Sequence, residues 1–311
     1  MSDLPLAIFL MGPTASGKTE LAVELAAHFP CDIISVDSAQ VYRGLDIGSA
    51  KPGAAVLAVT PHRLIDICEP TEAYSAARFR VDALREMAEI VARGRVPLLV
   101  GGTLLYFRAL QAGLASLPEA DPEVRARLER EAEAWGWADL HQRLLRVDPE
   151  AGARIHPNDS QRIQRALEVF EITGRPLSQW QRASAPESPL PYRLLKLVRA
   201  PRERAVLRER IAVRFQAMLD AGLEEEVRTL WSRGDLTPDL PAMRSVGYRQ
   251  VLNYLLGGSS FGVMIERGVI ATRQLAKRQL TWLRAESDCH WMFDDEAPYD
   301  QAQRLLHDAG P

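Results

Sequence analysis

Cysteine is scarce in this chain: there are three in 311 residues, Cys31, Cys68 and Cys289, far apart and without CxxC spacing. That excludes a disulfide framework and a thiolate zinc site, and it points to a reducing, cytoplasmic setting. Long apolar runs are also missing, since none approaches the ~20 residues that a membrane-spanning helix needs. From Met1 to Met11 there is no basic stretch, Asp3 intervenes, and the chain runs straight into a glycine-rich loop, so no signal peptide is expected. His28, His62, His141, His156, His290 and His307 are scattered, with no HExxH and no cysteine at ligand spacing. Packing or surface roles are expected for them rather than metal ligation. An excess of one charge is missing too: 38 Lys+Arg face 41 Asp+Glu, a net charge of -3. The chain as a whole has no bulk attraction for polyanions, so any nucleic-acid surface must be a local patch. There is no internal repeat and no low-complexity tract.

What is present suits a sizeable core with a smaller second unit. Leu6 to Met11 is an unbroken apolar run ended by Gly12, which reads as a strand buried on both faces of a parallel sheet. A helix is predicted from Lys18 to Phe29, where Leu21, Ala22, Leu25 and Ala26 recur at helical spacing before Pro30. Further strands are predicted at Asp32 to Asp37, Val96 to Gly102 and Leu194 to Val198, with a helix at Ala76 to Ala92 between the first two. This alternation predicts an α/β fold: a P-loop NTPase-like core, its parallel sheet flanked by helices. From Pro118 to Gln181 the strand-like runs stop and helical periodicity takes over, which predicts an all-helical insertion. Prolines at 118 and 122, and at 186, 189 and 191, mark its edges. The expected division is residues 1–116, 117–190 and 191–311, the last part returning to the core. Helices are predicted there at Arg202 to Asp220, Gly222 to Arg233, Met243 to Leu256 and Gly262 to Arg284.

Gly12, Pro13, Thr14, Ala15, Ser16, Gly17, Lys18 and Thr19 read GPTASGKT, a full match to GxxxxGK[ST] between a predicted strand and a predicted helix. Its glycines let the backbone wrap a phosphate chain, and successive N–H groups with the helix N-terminus supply positive potential. Lys18 would reach the terminal phosphate, and the Thr19 hydroxyl would hold Mg²⁺. Such a loop binds a polyphosphate without saying which one: a diphosphate ester, ATP and GTP all fit. No NKxD guanine-reading element is present, which argues against a GTPase.

Asp37 ends a predicted strand, and in a doubly wound sheet the carboxyl ends of strands open onto the ligand crevice. It can order magnesium, as in a nucleotide hydrolase or kinase, or accept a proton or hydrogen bond from a nucleophile. Its bland alternative is a turn-forming aspartate at a strand end.

The run DSAQVYRGLDIGSAKP from Asp37 to Pro52 resembles the signature of the tRNA dimethylallyltransferases, the tRNA isopentenyltransferase family. Four further blocks resemble the same family in order along nearly the whole chain: GGTLLYFRAL from Gly101, NDSQRIQRALEV from Asn158, RSVGYRQ from Arg244 and KRQLTWLR from Lys277. The resemblance implies that the phosphate loop holds dimethylallyl diphosphate as co-substrate, with Lys18, Thr19 and Mg²⁺ neutralising the leaving group. It implies transfer of the dimethylallyl group to the exocyclic N6 of the adenine beside the anticodon, in tRNAs that read codons starting with U. Asp37 would then activate the amine, and Asp37, Ser38, Ala39 and Gln40 would form the adenine-reading turn, with the Gln40 amide helping to read the base. By the same resemblance Thr103 and Arg125 lie near the tRNA, and Arg214 assists the diphosphate.

Between Arg273 and Arg284 the chain carries Arg273, Lys277, Arg278 and Arg284 without an acidic residue. On a helix Arg273, Lys277 and Arg284 fall within roughly 40° of one another, opposite Leu275 and Trp282. That pattern fits a phosphate-binding face or a plain solvated face. The family resemblance implies contacts to the tRNA anticodon stem-loop from three stretches. They are Gln161, Arg162, Ile163, Gln164 and Arg165; Arg244, Ser245, Val246, Gly247, Tyr248 and Arg249; and Lys277, Arg278, Gln279, Leu280, Thr281, Trp282, Leu283 and Arg284. Trp135, Trp137, Trp180 and Trp231 could stack on bases, although aromatic residues in helical segments more often fill cores. Two other functions fit parts of the pattern: a phosphate-loop small-molecule kinase using ATP, and a non-catalytic RNA-binding adaptor. A monomer is expected.

Overall fold

The computed structural model describes residues 4–113, 117–183 and 190–310. Met1, Asp3, Pro186, Pro189 and the boundary drawn at residue 116 lie outside them. The chain forms two compact units, one from residues 1–111 with 190–311 and the other Ala112–Pro189.

In the larger unit the first half runs β1 (Leu6–Met11), α1 (Lys18–His28), β2 (Cys31–Val36), α2 (Ala54–Val59), β3 (His62–Arg63), α3 (Ala76–Ala92), β4 (Val96–Gly101) and α4 (Leu104–Ala112). The smaller unit contributes α5 (Pro122–Trp135), α6 (Trp137–Val147), α7 (Pro149–Arg154), α8 (Ser160–Thr173) and α9 (Leu177–Ala183). The larger unit then resumes with β5 (Arg193–Arg199), α10 (Arg204–Asp220), α11 (Leu223–Ser232), α12 (Tyr248–Leu255), α13 (Phe261–Arg284), β6 (Cys289–Met292) and α14 (Pro298–Ala309).

The strands make one sheet in the order β3-β2-β4-β1-β5-β6, and every pairing is parallel. Side chains alternate along β1: Ala7, Phe9 and Met11 enter the core on one sheet face, Leu6, Ile8 and Leu10 the core on the other. Both faces are covered, which is why the strand reads as an unbroken apolar run. Leu21, Ala22 and Leu25 of α1, with Ala302 and Leu306 of α14, cover the second face. Phe79, Ala83, Met87 and Ile90 of α3 join the first.

Register decides where the loops emerge. Met11 pairs with Gly101 and with Val198, and Gly101 pairs with Val36, so four strands end at one level. The chain steps from β1 past β4 to β2, and later from β4 past β1 to β5. The crossovers thus diverge between β1 and β4, the switch point where such sheets open a ligand crevice beyond their carboxyl ends.

The strands β3 and β6, of two and four residues, have no counterpart in the sequence reading, because runs so short carry no measurable period. The helix expected from Met243 begins at Tyr248 instead, since Gly247 takes φ 95° just before it and breaks the helical path.

In the smaller unit Leu128, Leu140, Leu144, Ile163 and Leu167 form an apolar core of their own. Asp121 caps α5 by accepting from the N–H groups of Glu123 and Val124, and Asp159 caps α8 by accepting from Arg162 N–H. Buried Asp148 accepts from Ala151 and Ser178 N–H at 3.0 and 2.8 Å and so ties α7 to α9. Trp137 and Trp180 pack against this core and Trp231 against that of the larger unit. Trp135 departs from expectation: it ends α5 just before Gly136 and is 70% exposed.

Candidate active site

The loop after β1 is shaped by two left-handed residues, Ala15 at φ 61° and Gly17 at φ 81°, and α1 starts at Lys18. A β-carbon on Gly12 would strike the carbonyl oxygen of Arg199 and press on the Ser16 hydroxyl, so this approach of loop to β5 admits only glycine. The Ser16 Oγ is buried with no hydrogen-bond partner among the described residues. Unpaired buried hydroxyls are costly and commonly mark a place reserved for a ligand atom.

Lys18 donates to the Pro13 carbonyl at 3.3 Å, curling back over the loop. Although the residue is only partly buried, protein crowds its ammonium and burial lowers its pKa from 10.5 to about 8, with Arg214 of α10 pushing it further down. Burial also lowers the pKa of Arg214, against the pull of Glu20 and Asp37. Among the described residues neither cation makes an ion pair. Two crowded cations without an anion are costly unless something negative completes the site.

Asp37 follows the last residue of β2 and acts electrostatically on both Lys18 and Arg214, so the carboxylate and the phosphate loop face one region. Its Oδ1 accepts from Ala39 N–H at 2.8 Å and Gln40 N–H at 3.3 Å, and Oδ2 has no hydrogen bond among the described residues. Thr103, at the end of β4, donates its N–H to Val36 and accepts from Ser38 N–H at 3.1 Å, which joins the two strand-end loops.

Several expected ligand contacts take other partners. The Gln40 amide is used at both ends: Oε1 accepts from the Ser35 hydroxyl at 2.9 Å, and Nε2 donates to Ser49 and Ala50 carbonyls at 3.3 and 3.2 Å. Gln279 bridges two loops of the crevice, accepting from Thr14 N–H and donating to the Gly102 carbonyl, both at 2.9 Å. Ile163, Tyr248 and Leu283 are buried in cores, so those side chains hold helices together.

On α13 the buried seam runs through Ala276 and Leu283, whereas Leu275 and Trp282 are only partly covered. The basic stripe therefore flanks the seam rather than standing opposite it. Arg273, Lys277, Arg278, Thr281 and Arg284 are exposed, Leu280 is partly buried, and Trp282 lies beneath Arg108 at 4.7 Å. Arg244 and Arg249 are exposed, with Ser245 and Val246 half-buried and Gly247 buried between them.

Within the smaller unit Glu168 is fully buried and binds Arg125 through both oxygens, at 2.8 and 3.1 Å, and Arg165 at 2.6 Å. Burial alone would raise its pKa; the hydrogen bonds from the two arginines and from Asp121 N–H outweigh that and hold it below the usual range. Gln164 donates to Glu129, while Gln161 and Arg162 sit on the exposed side of α8.

Sequence reasoning missed two positions. Glu226 of α11 receives Asp46, Ile47 and Gly48 N–H. Arg199 packs beside Gly17 and pairs with Asp294. No local signal announces either of them.

Among the described residues no helix is long and apolar enough to cross a membrane, and no group of three His, Cys, Asp or Glu could hold a metal ion. A family model described as IPP transferase matches residues 40–286. A tRNA dimethylallyltransferase of Thioalkalivibrio sulfidiphilus is 66% identical over 281 residues, covering 90% of this chain and 88% of that one. The crystal structure of the full-length tRNA isopentenylpyrophosphate transferase of Bacillus halodurans superposes with a TM-score of 0.70 at 36% identity, covering 97% of each chain. A eukaryotic dimethylallyltransferase captured acting on tRNA gives a TM-score of 0.78 at 25% identity, over 98% of this chain and 79% of that one. Matched along most of its length by the family model, and two-thirds identical to a curated relative, the chain belongs to the IPP transferase family.

Proposed function

We propose that the protein transfers a dimethylallyl group from dimethylallyl diphosphate to N6 of the adenine beside the anticodon of tRNA, releasing diphosphate. The observation that carries this reading is the pair Lys18 and Arg214, two crowded cations with no ion-pair partner among the described residues and with Asp37 in electrostatic reach. A diphosphate completes the first feature, and an amine nucleophile answers the second.

In this reading Gly12 to Thr19 surround the diphosphate with backbone N–H groups and the N-terminus of α1, and Lys18 and Arg214 offset the charge that builds as the carbon–oxygen bond breaks. Oδ2 of Asp37 accepts a hydrogen bond from the exocyclic amine and receives its proton as the nitrogen–carbon bond forms. Oδ1 stays bound to its own turn, which fixes the direction in which Oδ2 points. The amine is a weak base, so orientation contributes as much as proton removal. The adenine must leave its stack to reach the site, which costs least in a single-stranded anticodon loop.

Magnesium fits the residues present. A magnesium ion here would be held by the Thr19 hydroxyl at the start of α1, beside oxygens of the donor, a hard oxygen donor set that suits it. When bound, it would neutralise part of the diphosphate charge.

The exposed residues Arg273, Lys277, Arg278 and Arg284 of α13, with Arg244 and Arg249, offer cations for tRNA phosphates in the larger unit. Arg162, Arg165 and Arg125 do so in the smaller one, where Gln161 adds a neutral amide donor. The proposal includes monomeric action in the cytoplasm, in keeping with three unpaired cysteines. The kinase alternative is not favoured, because the relatives are named for prenyl transfer to tRNA.

The test supplies labelled dimethylallyl diphosphate or ATP, with and without unmodified tRNA, and weighs the nucleosides after digestion. Prenylated adenosine that needs both tRNA and the allylic donor is the expected product. ATP turnover onto a small acceptor would replace the proposal with the kinase.

A further inference from the structure

The loop that follows Asp37 is held from outside by one carboxylate. Glu226, in the first turn of α11, accepts three consecutive backbone N–H groups: Asp46 at 3.1 Å and Ile47 at 2.7 Å on Oε2, and Gly48 at 3.1 Å on Oε1. Oε1 also accepts from the Tyr248 hydroxyl at 2.5 Å, so all this carboxylate's capacity is used in one place. Tyr248, the first residue of α12, is fully buried, and its ring lies so close to Gly48 that a β-carbon there would sit 2.6 Å from it. The turn therefore rests on the phenol ring as well as on the carboxylate. Burial and the neighbouring Glu226 both raise the pKa of Tyr248, so the phenol keeps its proton and remains a donor.

From this turn a continuous path leads to Asp37. Ser49 and Ala50 carbonyls accept from the Gln40 amide, the other end of that amide binds Ser35 on β2, and the Gln40 N–H donates to Asp37 Oδ1. Lys51 braces the same loop from within, its ammonium shared between Asp46, Asp66 and the Tyr42 carbonyl. Hydrogen bonds of Gln40 link two covalently continuous stretches in this half-buried network, so a shift of the Asp46–Gly48 turn is carried through Ser49, Ala50 and Gln40 to the Asp37 turn.

We propose that Glu226 and Tyr248 are positioning residues for the transfer reaction: they clamp the Asp46–Gly48 turn and, through Gln40, fix the carboxylate of Asp37. This rests on the reading of Asp37 as the group that receives the amine. It also gives Tyr248 a role inside the fold in place of a contact with tRNA. Glu226 and Tyr248 make no hydrogen bond to the phosphate loop or to Lys18 among the described residues, so breaking the clamp is expected to change donor binding little.

The experiment compares Tyr248→Phe, Glu226→Ala and Glu226→Gln with Asp37→Ala, and adds the double variants Asp37→Ala/Tyr248→Phe and Asp37→Ala/Glu226→Ala. Single-turnover rates are measured at saturating dimethylallyl diphosphate and tRNA, alongside the Kd for inorganic diphosphate. A displacement on the order of 1 Å costs about a hundredfold in rate. Glu226→Ala is expected to lose about that much and Tyr248→Phe roughly tenfold, with the diphosphate Kd unchanged within about twofold. Glu226→Gln should do no better than alanine, because an amide nitrogen would face N–H donors. In the Asp37→Ala background either change should cost less than about threefold, since residues acting through one group are not additive. Full multiplication of the losses, wild-type rates in the single variants, or rate and diphosphate affinity falling together would each overturn the clamp. Tyr248→Phe removes one oxygen and carries the test if Glu226→Ala fails to fold. A fully active Asp37→Ala would instead remove the reading of Asp37, and the clamp with it.

Discussion

Replacing Lys18 with methionine should make the folded protein more stable while abolishing its use of the donor. The lysine pKa falls from 10.5 to about 8 because its ammonium is crowded by protein and faces Arg214. At about 1.4 kcal/mol for each tenfold change in the proton equilibrium, that depression corresponds to about 3 kcal/mol of cost carried by the folded state at pH 7. Solvent reaching the partly exposed side chain screens some of it, so the expected gain in Lys18→Met is about 1–3 kcal/mol. The pH dependence fixes the sign. Between pH 8 and 10.5 the unfolded chain still binds the proton and the folded chain has released it, so wild-type stability rises with pH across this window. The advantage of the variant should therefore be complete below pH 8 and fade towards pH 10.5.

Urea unfolding of both proteins at a series of pH values, in phosphate-free buffer, measures this directly, because other titrating groups cancel in the difference. Added inorganic diphosphate should raise the Tm of the wild type and leave the variant unmoved. A variant less stable than wild type at pH 7, or a stability difference that does not narrow with rising pH, would refute the account of a charge held in reserve for an anion.

Gln279→Ala frees Thr14 N–H and the Gly102 carbonyl, so the phosphate loop should loosen. With each hydrogen bond worth about 1 kcal/mol, KM for the donor should rise roughly five- to tenfold while tRNA affinity holds, as steady-state kinetics and filter binding would show. The smaller unit should lose stability as pH falls, because Glu168 has a pKa below 4.5 when folded and its contribution, present above that value, disappears as the carboxylate protonates. Glu168→Gln should flatten this acid response, read by hydrogen exchange in α5 and α8. Lys277→Ala/Arg284→Ala should weaken tRNA binding and lower its salt slope by about 0.7–0.9 for each phosphate that is no longer neutralised; an unchanged slope would mark the stripe as a solvated face.

Much of the larger unit was legible in the sequence because its signals are local. A strand covered on both faces must be apolar at every position, and Leu6–Met11 is; a phosphate loop needs its glycines and lysine at fixed spacing, and GPTASGKT supplies them. Asp37 could be placed at the crevice because strand ends in parallel sheets share a side. Periodicity on α13 placed the cations beside one another, yet it put the buried seam at Leu275 and Trp282, since residue type alone ranks a leucine and a tryptophan above Ala276. Packing density close to another helix favours the small side chain instead.

The chain by itself thus determined four of the six strands, the anion-binding loop and the acid at the strand end, because each of these leaves its signal within a few consecutive residues. Tertiary structure alone decided what Gln279, Gln40, Glu226 and Tyr248 do. Glu226 reads as one of three acids suited to the first turn of a helix, and only the fold sets it against backbone about 180 residues away. Gln279 reads as part of a basic helix, and its partner Thr14 lies 265 positions earlier. A hydrogen bond needs its two atoms within about 3 Å, and along a chain no residue pattern encodes that proximity until the sheet order has brought the loops together.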